Sequence, residues 1–313
     1  MGILNNVDTL VSIAGKDIHF VSLNLKQSFN KHHQFKIIIN FEDLFQGEAW
    51  MNSPTELIKL VGEQVLIRMK HKVSGEVNDF SGMITSVSAE GRHGQNNNYV
   101  ISGSSNTIRL EGKRTMNSLI DSGLSDIIKD ILDNSGNGAK IISNPAFTDK
   151  IDYICQYNET AFEVINRLSW IYGEWFYNDG INTYFGKPKV QEEFDLFYDI
   201  ELTYFNLTAN LVPANFTYYD YLVHGAKESF SSAPPTVSGV RGYIKLAQDK
   251  SEELYTSNSY MPSNPTVNSL KELNHLSEVE KSRSIAKMLI FCGESTTCKV
   301  KIGNIANIKL PKK

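Results

Sequence analysis

Apolar residues recur at every second position through much of the first hundred residues of the chain. This alternation has the two-residue period of a β-strand with one buried face, and a helix could not place such residues on a single side. One strand carries Phe35, Ile37, Ile39 and Phe41, and another carries Val65, Ile67 and Met69. After a turn at Gly75, the residues Phe80, Met83, Ile84 and Val87 follow a less regular pattern. The N-terminal region is therefore predicted to form an antiparallel sheet.

A short helix is predicted to interrupt these strands. Ser53 is a suitable N-cap, Pro54 fits the first helical position, and Glu56 completes a capping box. Gly62 ends this helix. We expect the helix to plug one end of a barrel.

From about residue 115 the hydrophobic period becomes helical. The apolar residues of a first helix share one face, and they are Leu124, Ile127, Ile128, Ile131 and Leu132. A second helix is expected to begin at Asn158 and to end at Gly173, a residue that favours the left-handed conformation of a helix end. An aromatic hairpin follows, with its turn over Asn178, Asp179 and Gly180. The middle of the chain is therefore predicted to be α+β.

Strand patterns return after Pro188. They cover residues 194–205 and 216–223, and an exposed loop is predicted over 231–239. A helix is predicted from Ser269 to Ile290, followed by a strand-rich tail. The predicted fold class is α+β with mostly antiparallel β structure.

Composition excludes several classes of protein. The chain has 313 residues, 41% of them hydrophobic, which is enough for about two globular domains. Its formal net charge of -4 is spread along the chain, which disfavours nucleic-acid binding. Three cysteines are an odd and sparse set that indicates a reducing compartment. No transmembrane segment and no signal peptide are predicted, so we expect a cytoplasmic protein whose export needs no classical signal.

Catalytic signatures are missing from the sequence. There is no GxSxG nucleophile elbow and no HExxH zinc motif. The adjacent pair His32 and His33 is expected to lie in a surface loop, and Cys292 and Cys298 are expected to be buried or partly buried free thiols. Carboxylate pairs such as Glu192 and Glu193 are expected to be solvated. We predict a protein that is not an enzyme, with no catalytic residue, no metal and no cofactor.

Aromatic residues are dense between positions 170 and 185. They are Trp170, Tyr172, Trp175, Phe176, Tyr177, Tyr184 and Phe185. Packing of a helix against a hairpin explains these rings with fewer assumptions than sugar binding does. A carbohydrate-binding module nevertheless stays as an alternative that rests on these aromatics alone.

One segment carries a specific combination of residues. In order, these are Gln156, Tyr157, Glu159, Thr160, Phe162, Arg167, Leu168, Gly173 and the aromatic run 175–177. A weaker combination lies upstream, where Phe80 and Gly82 follow the strand from Val65 to Met69. Together they resemble the hallmark of the VgrG family, the spike proteins of type VI secretion systems. Relatives of that family include the hub and late-control proteins of contractile-tailed phages.

The resemblance implies a phage baseplate hub-like module with two similar β-barrel domains. The first barrel would occupy residues 1–110, an α+β insertion 111–190, and the second barrel, with a helical insertion, 191–313. The named residues would act structurally. The module would form a homotrimer and adapt a hexameric Hcp-like tube to a three-fold spike. An OB-fold and a β-helical spike region would follow, with an effector or tip protein as a further partner.

Besides the carbohydrate-binding module, two rival functions stay open. In the same class, the chain is the hub of a prophage tail or of an extracellular contractile injection system. In a different class, it is a cell-wall hydrolase, because some spike-like proteins carry such domains. If the chain is the VgrG-like hub, we expect the protein to be cytoplasmic before firing and then to be injected by the contractile apparatus.

Overall fold

A computed structural model describes most of the chain. The described residues are 6–40, 57–90, 98–188, 190–222, 227–230, 237–264, 267 and 269–310. The predicted capping box of Ser53, Pro54 and Glu56 lies outside them, as does most of the predicted loop 231–239.

Seven strands form one antiparallel sheet in the N-terminal region. They are β1 (Val7–Ile13), β2 (Lys16–Ile18), β3 (Ser22–Lys26), β4 (Gln34–Asn40), β5 (Gln64–His71), β6 (Val77–Glu90) and β7 (Asn98–Ser105). Their order across the sheet is β2-β1-β5-β6-β7-β4-β3. The predicted antiparallel sheet is confirmed.

The connection between the two edge strands shows that this sheet curls. Ile18 ends β2 and Ser22 begins β3, so the chain between them can span at most about 14 Å. The edges of a flat seven-stranded sheet would lie about 29 Å apart, at about 4.8 Å per strand. The sheet must therefore roll its edge strands β2 and β3 toward each other.

The core of the curled sheet contains the residues that the alternation placed on one face. Phe35, Ile37, Ile39, Val65 and Ile67 are all buried in one cluster. The irregular pattern along β6 comes from a β-bulge between residues 84 and 86, where the register with β7 shifts.

The middle region mixes helices and strands. After a 3₁₀ turn over Asn106–Glu111, the elements are β8 (Thr115–Ser122), α1 (Leu124–Ser135), β9 (Ile142–Ser143), β10 (Ile151–Glu159), α2 (Ala161–Tyr172), β11 (Phe176–Asn178) and β12 (Thr183–Phe185). As predicted, α1 buries one apolar face and ends at a left-handed glycine, Gly136. β8 pairs with β10, and the predicted hairpin is the pair β11 and β12. Its turn spans residues 179–182, because Asn178 pairs with Thr183 inside the ladder.

The C-terminal region also alternates strands with helices. Its elements are β13 (Glu193–Phe197), β14 (Leu202–Ala209), β15 (Phe216–Leu222), β16 (Lys227–Phe230), α3 (Tyr243–Leu254), β17 (Ser259–Pro262), α4 (Leu270–Ala286), β18 (Leu289–Ser295) and β19 (Ile305–Lys309). The predicted helix is α4, with Ser269 as its N-cap, but it ends before residue 290 because β18 begins at Leu289. The amphipathic pattern did not predict α3.

Two compact units account for the described chain. Unit 1 comprises residues 1–166, 175–196 and 296–309, and unit 2 comprises 167–174, 197–295 and 310–313. The curled sheet belongs to unit 1. The strands of unit 2 form the pair β14-β18 and the three-stranded sheet β16-β15-β17. The division into two barrels and an insertion stays a prediction.

Candidate functional site

The segment that carries the motif residues begins at the end of β10. Gln156 is buried and its Nε2 donates to the carbonyl oxygen of Glu159 at 3.0 Å, whereas the side chain of Tyr157 is 68% exposed. The next residue, Asn158, has a φ of 51°, and the register with β8 shifts between Tyr157 and Glu159. This bulge closes the strand and leads the chain into α2.

A capping box defines the start of α2. Thr160 Oγ1 accepts from the Glu163 amide at 3.1 Å, and Glu163 Oε2 accepts from the Thr160 amide at 2.9 Å. Arg114 donates to both carboxylate oxygens of Glu163, and these hydrogen bonds, that of Thr160 first, lower the pKa of Glu163. The predicted start at Asn158 is wrong, because that residue belongs to β10 and the N-cap is Thr160.

Phe162, in the first turn of α2, joins this helix to the N-terminal region. Its ring lies 3.9 Å from the imidazole of His32 and 5.2 Å from the ring of Phe176, measured between centroids. Two polar contacts fix His32, whose Nδ1 lies 2.8 Å from Thr107 Oγ1 and whose Nε2 lies 3.0 Å from Glu111 Oε1. Phe162 is therefore an anchor for the first turn of α2, which belongs to unit 1.

The neighbouring His33 is fully buried. Its amide donates to Ser105 Oγ at 3.1 Å, and its Nδ1 lies 3.2 Å from Gln27 Nε2. Its Nε2 makes no hydrogen bond to any residue that the structure describes. Burial lowers the pKa of His33 to about 4, so the ring is neutral at pH 7. His32 and His33 do lie in a loop, between β3 and β4, but the prediction that they are at the surface is wrong, because residues distant in sequence contact both rings.

The upstream motif residues lie inside the curled sheet. Phe80 is fully buried and packs edge-to-face on Phe35 with centroids 6.0 Å apart. A Cβ on Gly82 would lie only 2.6 Å from the carbonyl oxygen of Ser104 and 3.0 Å from Phe35. Gly82 therefore permits close packing between β6 and β7.

Three motif residues belong to unit 2. Leu168 is fully buried, Arg167 is half-buried, and Gly173 ends α2 with a φ of 69°. A Cβ on Gly173 would lie 2.5 Å from Val279 Cγ2 of α4. The conformation and the available space therefore both require glycine at this helix end.

The aromatic-rich stretch is mainly packing, as predicted. Tyr172, Phe176 and Phe185 are buried. Trp170 differs because it is 58% exposed, and the guanidinium of Arg283 lies 3.9 Å from the centre of its ring. Tyr177 is buried as well, so four of the seven rings are not available at the surface.

The polar groups that could support chemistry are dispersed. Among the described residues no group of three or more His, Cys, Asp or Glu side chains could hold a metal ion. Glu192 Oε2 accepts from Asn304 Nδ2 at 3.1 Å, and Glu193 Oε2 accepts from Asn307 Nδ2 at 3.4 Å. Both residues are exposed, as expected for solvated carboxylates, and each also accepts one hydrogen bond from a side-chain amide.

Two further sequence-based expectations can be compared with the structure. Cys298 is buried as expected, but Cys292 is exposed, so that prediction is wrong for Cys292. Within the described part of the chain, no helix is long and apolar enough to cross a membrane.

Comparison with known proteins identifies the fold. Residues 40–183 match the family model described as phage tail baseplate hub (GPD), and this range includes every motif residue named above. No curated protein sequence matches the chain. Because the family match covers less than half of the chain, the remainder of the comparison rests on solved structures.

Solved structures extend the similarity to nearly the whole chain. The 43 kDa tail protein of prophage MuSo2 from Shewanella oneidensis aligns with a TM-score of 0.66 at 15% identity, covering 98% of this chain and 89% of that one. A tail protein from Neisseria meningitidis aligns with a TM-score of 0.64 at 11% identity, covering 97% and 87%. An Escherichia coli component of the type VI secretion system aligns with a TM-score of 0.56 at 13% identity, covering 97% and 67%. The fold is therefore mostly antiparallel and phage baseplate hub-like.

Proposed function

We propose that this protein is a structural hub of a contractile injection apparatus, at the junction between a tube and a spike. One observation carries the proposal: the hub-like fold extends over 98% of the chain, and the family match covers the segment with the motif residues. The motif side chains support a structural role, because they cap, anchor and terminate α2. The proposal assigns no bond-breaking step to any residue.

The proposed assembly is a homotrimer that adapts a hexameric Hcp-like tube to a three-fold spike. A three-fold ring meets six tube subunits with matching contacts only if each subunit presents two similar surfaces. The two related barrels that the sequence predicts would provide these two surfaces. Partners would then be the tube protein, a C-terminal OB-fold and β-helical spike region, and an effector or tip protein. The hub would be cytoplasmic before firing and injected without a signal peptide.

Light scattering coupled to size exclusion tests this proposal. The chain is measured alone and after mixing with the tube protein encoded nearest to its gene, and a tube protein from an unrelated system serves as the control. We expect a mass of about three times the 35.2 kDa chain, or a complex that forms only with the cognate tube. A monomer that binds neither tube protein, also when the full-length gene product is used, would refute the hub.

Two origins are compatible with this function. A type VI secretion spike of the VgrG family is the first, supported by the Escherichia coli structure and by the motif segment. The hub of a prophage tail is the second, and it is favoured by the two tail proteins, which this chain covers over 89% and 87% of their lengths. The identity of the tube protein that binds would distinguish the two origins.

A hydrolase activity can be tested separately. Peptidoglycan turnover would be measured for the wild type and for the Glu159→Gln and Glu174→Gln variants. We expect no turnover by any of the three proteins. Turnover that both substitutions abolish would replace the structural proposal with an enzymatic one.

A further inference from the structure

Four segments of unit 1 line an open cavity of about 500 Å³. They are the start of β5, the 3₁₀ turn 106–111, the loop 138–142 and the hairpin turn 181–183. A cavity of this size suits a small ligand or a few side chains of a partner. None of the motif residues lines it.

The charged residues that the structure describes in the wall of this cavity are all cationic. Its wall includes Arg109 and Lys140, and no described residue in the wall is acidic. Both cationic side chains are exposed and form no ion pair with any residue that the structure describes. Two uncompensated positive charges therefore face one space in a protein whose formal net charge is -4.

Backbone donors add to these charges. Gly138 and Ala139 also line the cavity, and their backbone amides donate no hydrogen bond within the described part of the chain. Gly138 has a φ of 65°, and unpaired amides in such a loop attract anions. Cationic side chains and free backbone amides together are the donors that bind carboxylate and phosphate groups.

A hydrogen bond joins the two segments that carry Arg109 and Lys140. Asn137 Nδ2 donates to the carbonyl oxygen of Arg109 at 2.8 Å, which ties the loop after α1 to the 3₁₀ turn. Gly112 makes room for this contact, because a Cβ there would lie 2.1 Å from Asn137 Nδ2. The cavity is therefore organised before any ligand binds, which reduces the entropy cost of binding.

We propose that this cavity binds an oxyanion, with Arg109, Lys140 and the amides of Gly138 and Ala139 as its donors. The anion is a carboxylate or phosphate group, carried either by a free small molecule or by acidic side chains of a partner protein. This site is separate from the motif segment, and the proposal does not depend on the hub function.

Isothermal titration calorimetry on the full chain tests the site with two probes, inorganic phosphate and a capped hexaglutamate peptide. The test variant is Arg109→Gln/Lys140→Gln. The matched control is Lys113→Gln/Lys129→Gln, which removes two exposed lysines outside the cavity wall and changes the net charge equally. Circular dichroism and thermal melting verify that both variants fold like the wild type.

We expect saturable one-site binding of at least one probe to the wild type. The cavity variant should bind at least about tenfold more weakly, since it loses two charge-assisted contacts, and the control should stay within about twofold. Tighter binding of the peptide would indicate a protein partner, and binding of phosphate alone would indicate a free anion. Loss of affinity that is equal in the two variants, or no saturable binding of either probe to the wild type, would overturn the proposal.

Discussion

Acidification is expected to destabilise the protein through His33. This side chain is fully buried beside Phe80, and burial lowers its pKa from 6.5 to about 4, although the carboxylate of Asp179 acts in the opposite direction. Between these two pH values the unfolded chain binds the His33 proton and the folded chain does not. The contribution of His33 to stability is therefore complete above pH 6.5 and is lost as the pH falls toward 4.

The two pKa values set the size of this loss. One pKa unit corresponds to about 1.36 kcal/mol, so the complete loss in the free energy of unfolding is about 3 kcal/mol. About 2 kcal/mol of it falls between pH 7 and pH 4.5. This is a substantial share of the stability of a typical domain, which is about 5–15 kcal/mol.

Urea unfolding at pH 7 and pH 4.5 measures the effect in the wild type and in His33→Gln. Glutamine keeps an acceptor for the amide of Gln27 but does not titrate. Between the two pH values the variant should lose about 2 kcal/mol less stability than the wild type. His19→Gln, at an exposed position, is the control and should keep the wild-type dependence. Equal losses in the wild type and His33→Gln would refute the reasoning from burial.

Three further predictions concern packing and the start of α2, and thermal denaturation checks each of them. Gly103→Ala should lower the free energy of unfolding by about 3 kcal/mol or more, because the new Cβ would lie 2.1 Å from the carbonyl oxygen of Met83. Gly123→Ala should change it by no more than about 1 kcal/mol, because the nearest atom to its Cβ would be 3.7 Å away. Equal melting of these two variants would contradict the close approach of β6 and β7. Thr160→Ala should lower the free energy of unfolding by about 1 kcal/mol, because it removes the N-cap, whereas Thr160→Ser should retain most of the wild-type stability. Equal stability of these two variants would exclude a capping role. Phe162→Ala should lower the free energy of unfolding by about 3–5 kcal/mol, and Phe162→Leu should lower it clearly less. Wild-type stability of Phe162→Ala would contradict the role of Phe162 as an anchor.

Patterns within one element were predicted well. The alternation at Phe35, Ile37 and Ile39 and the helical spacing in α1 depend only on which side of an element faces apolar surroundings, and both are observed. The motif residues were also singled out from sequence. Among them, Gln156, Thr160 and Phe162 make the contacts described above, whereas Tyr157 is exposed. The start of α2 was misplaced because Asn158 and Thr160 are both good N-caps, and the bulge at the end of β10 decided between them.

Contacts across long sequence separations were not predicted. His33 is buried because Phe80 and Ser105 enclose it, and neither residue is near it in sequence. The anion-binding cavity was missed for the same reason, since Arg109 and Lys140 belong to separate segments that only the fold brings to one space. A single buried histidine and two isolated cations leave no periodic signal that could have revealed them.

By itself, the sequence determined the kind and facing of several strands and helices and the place of the motif, because these follow from local backbone preference and from the spacing of apolar residues. The tertiary structure decided how the seven strands curl, which residues enclose His33 and where uncompensated charges meet. Those outcomes depend on the joint packing of segments far apart in the chain, and the energy of a buried or charged group is set by all the neighbours that surround it.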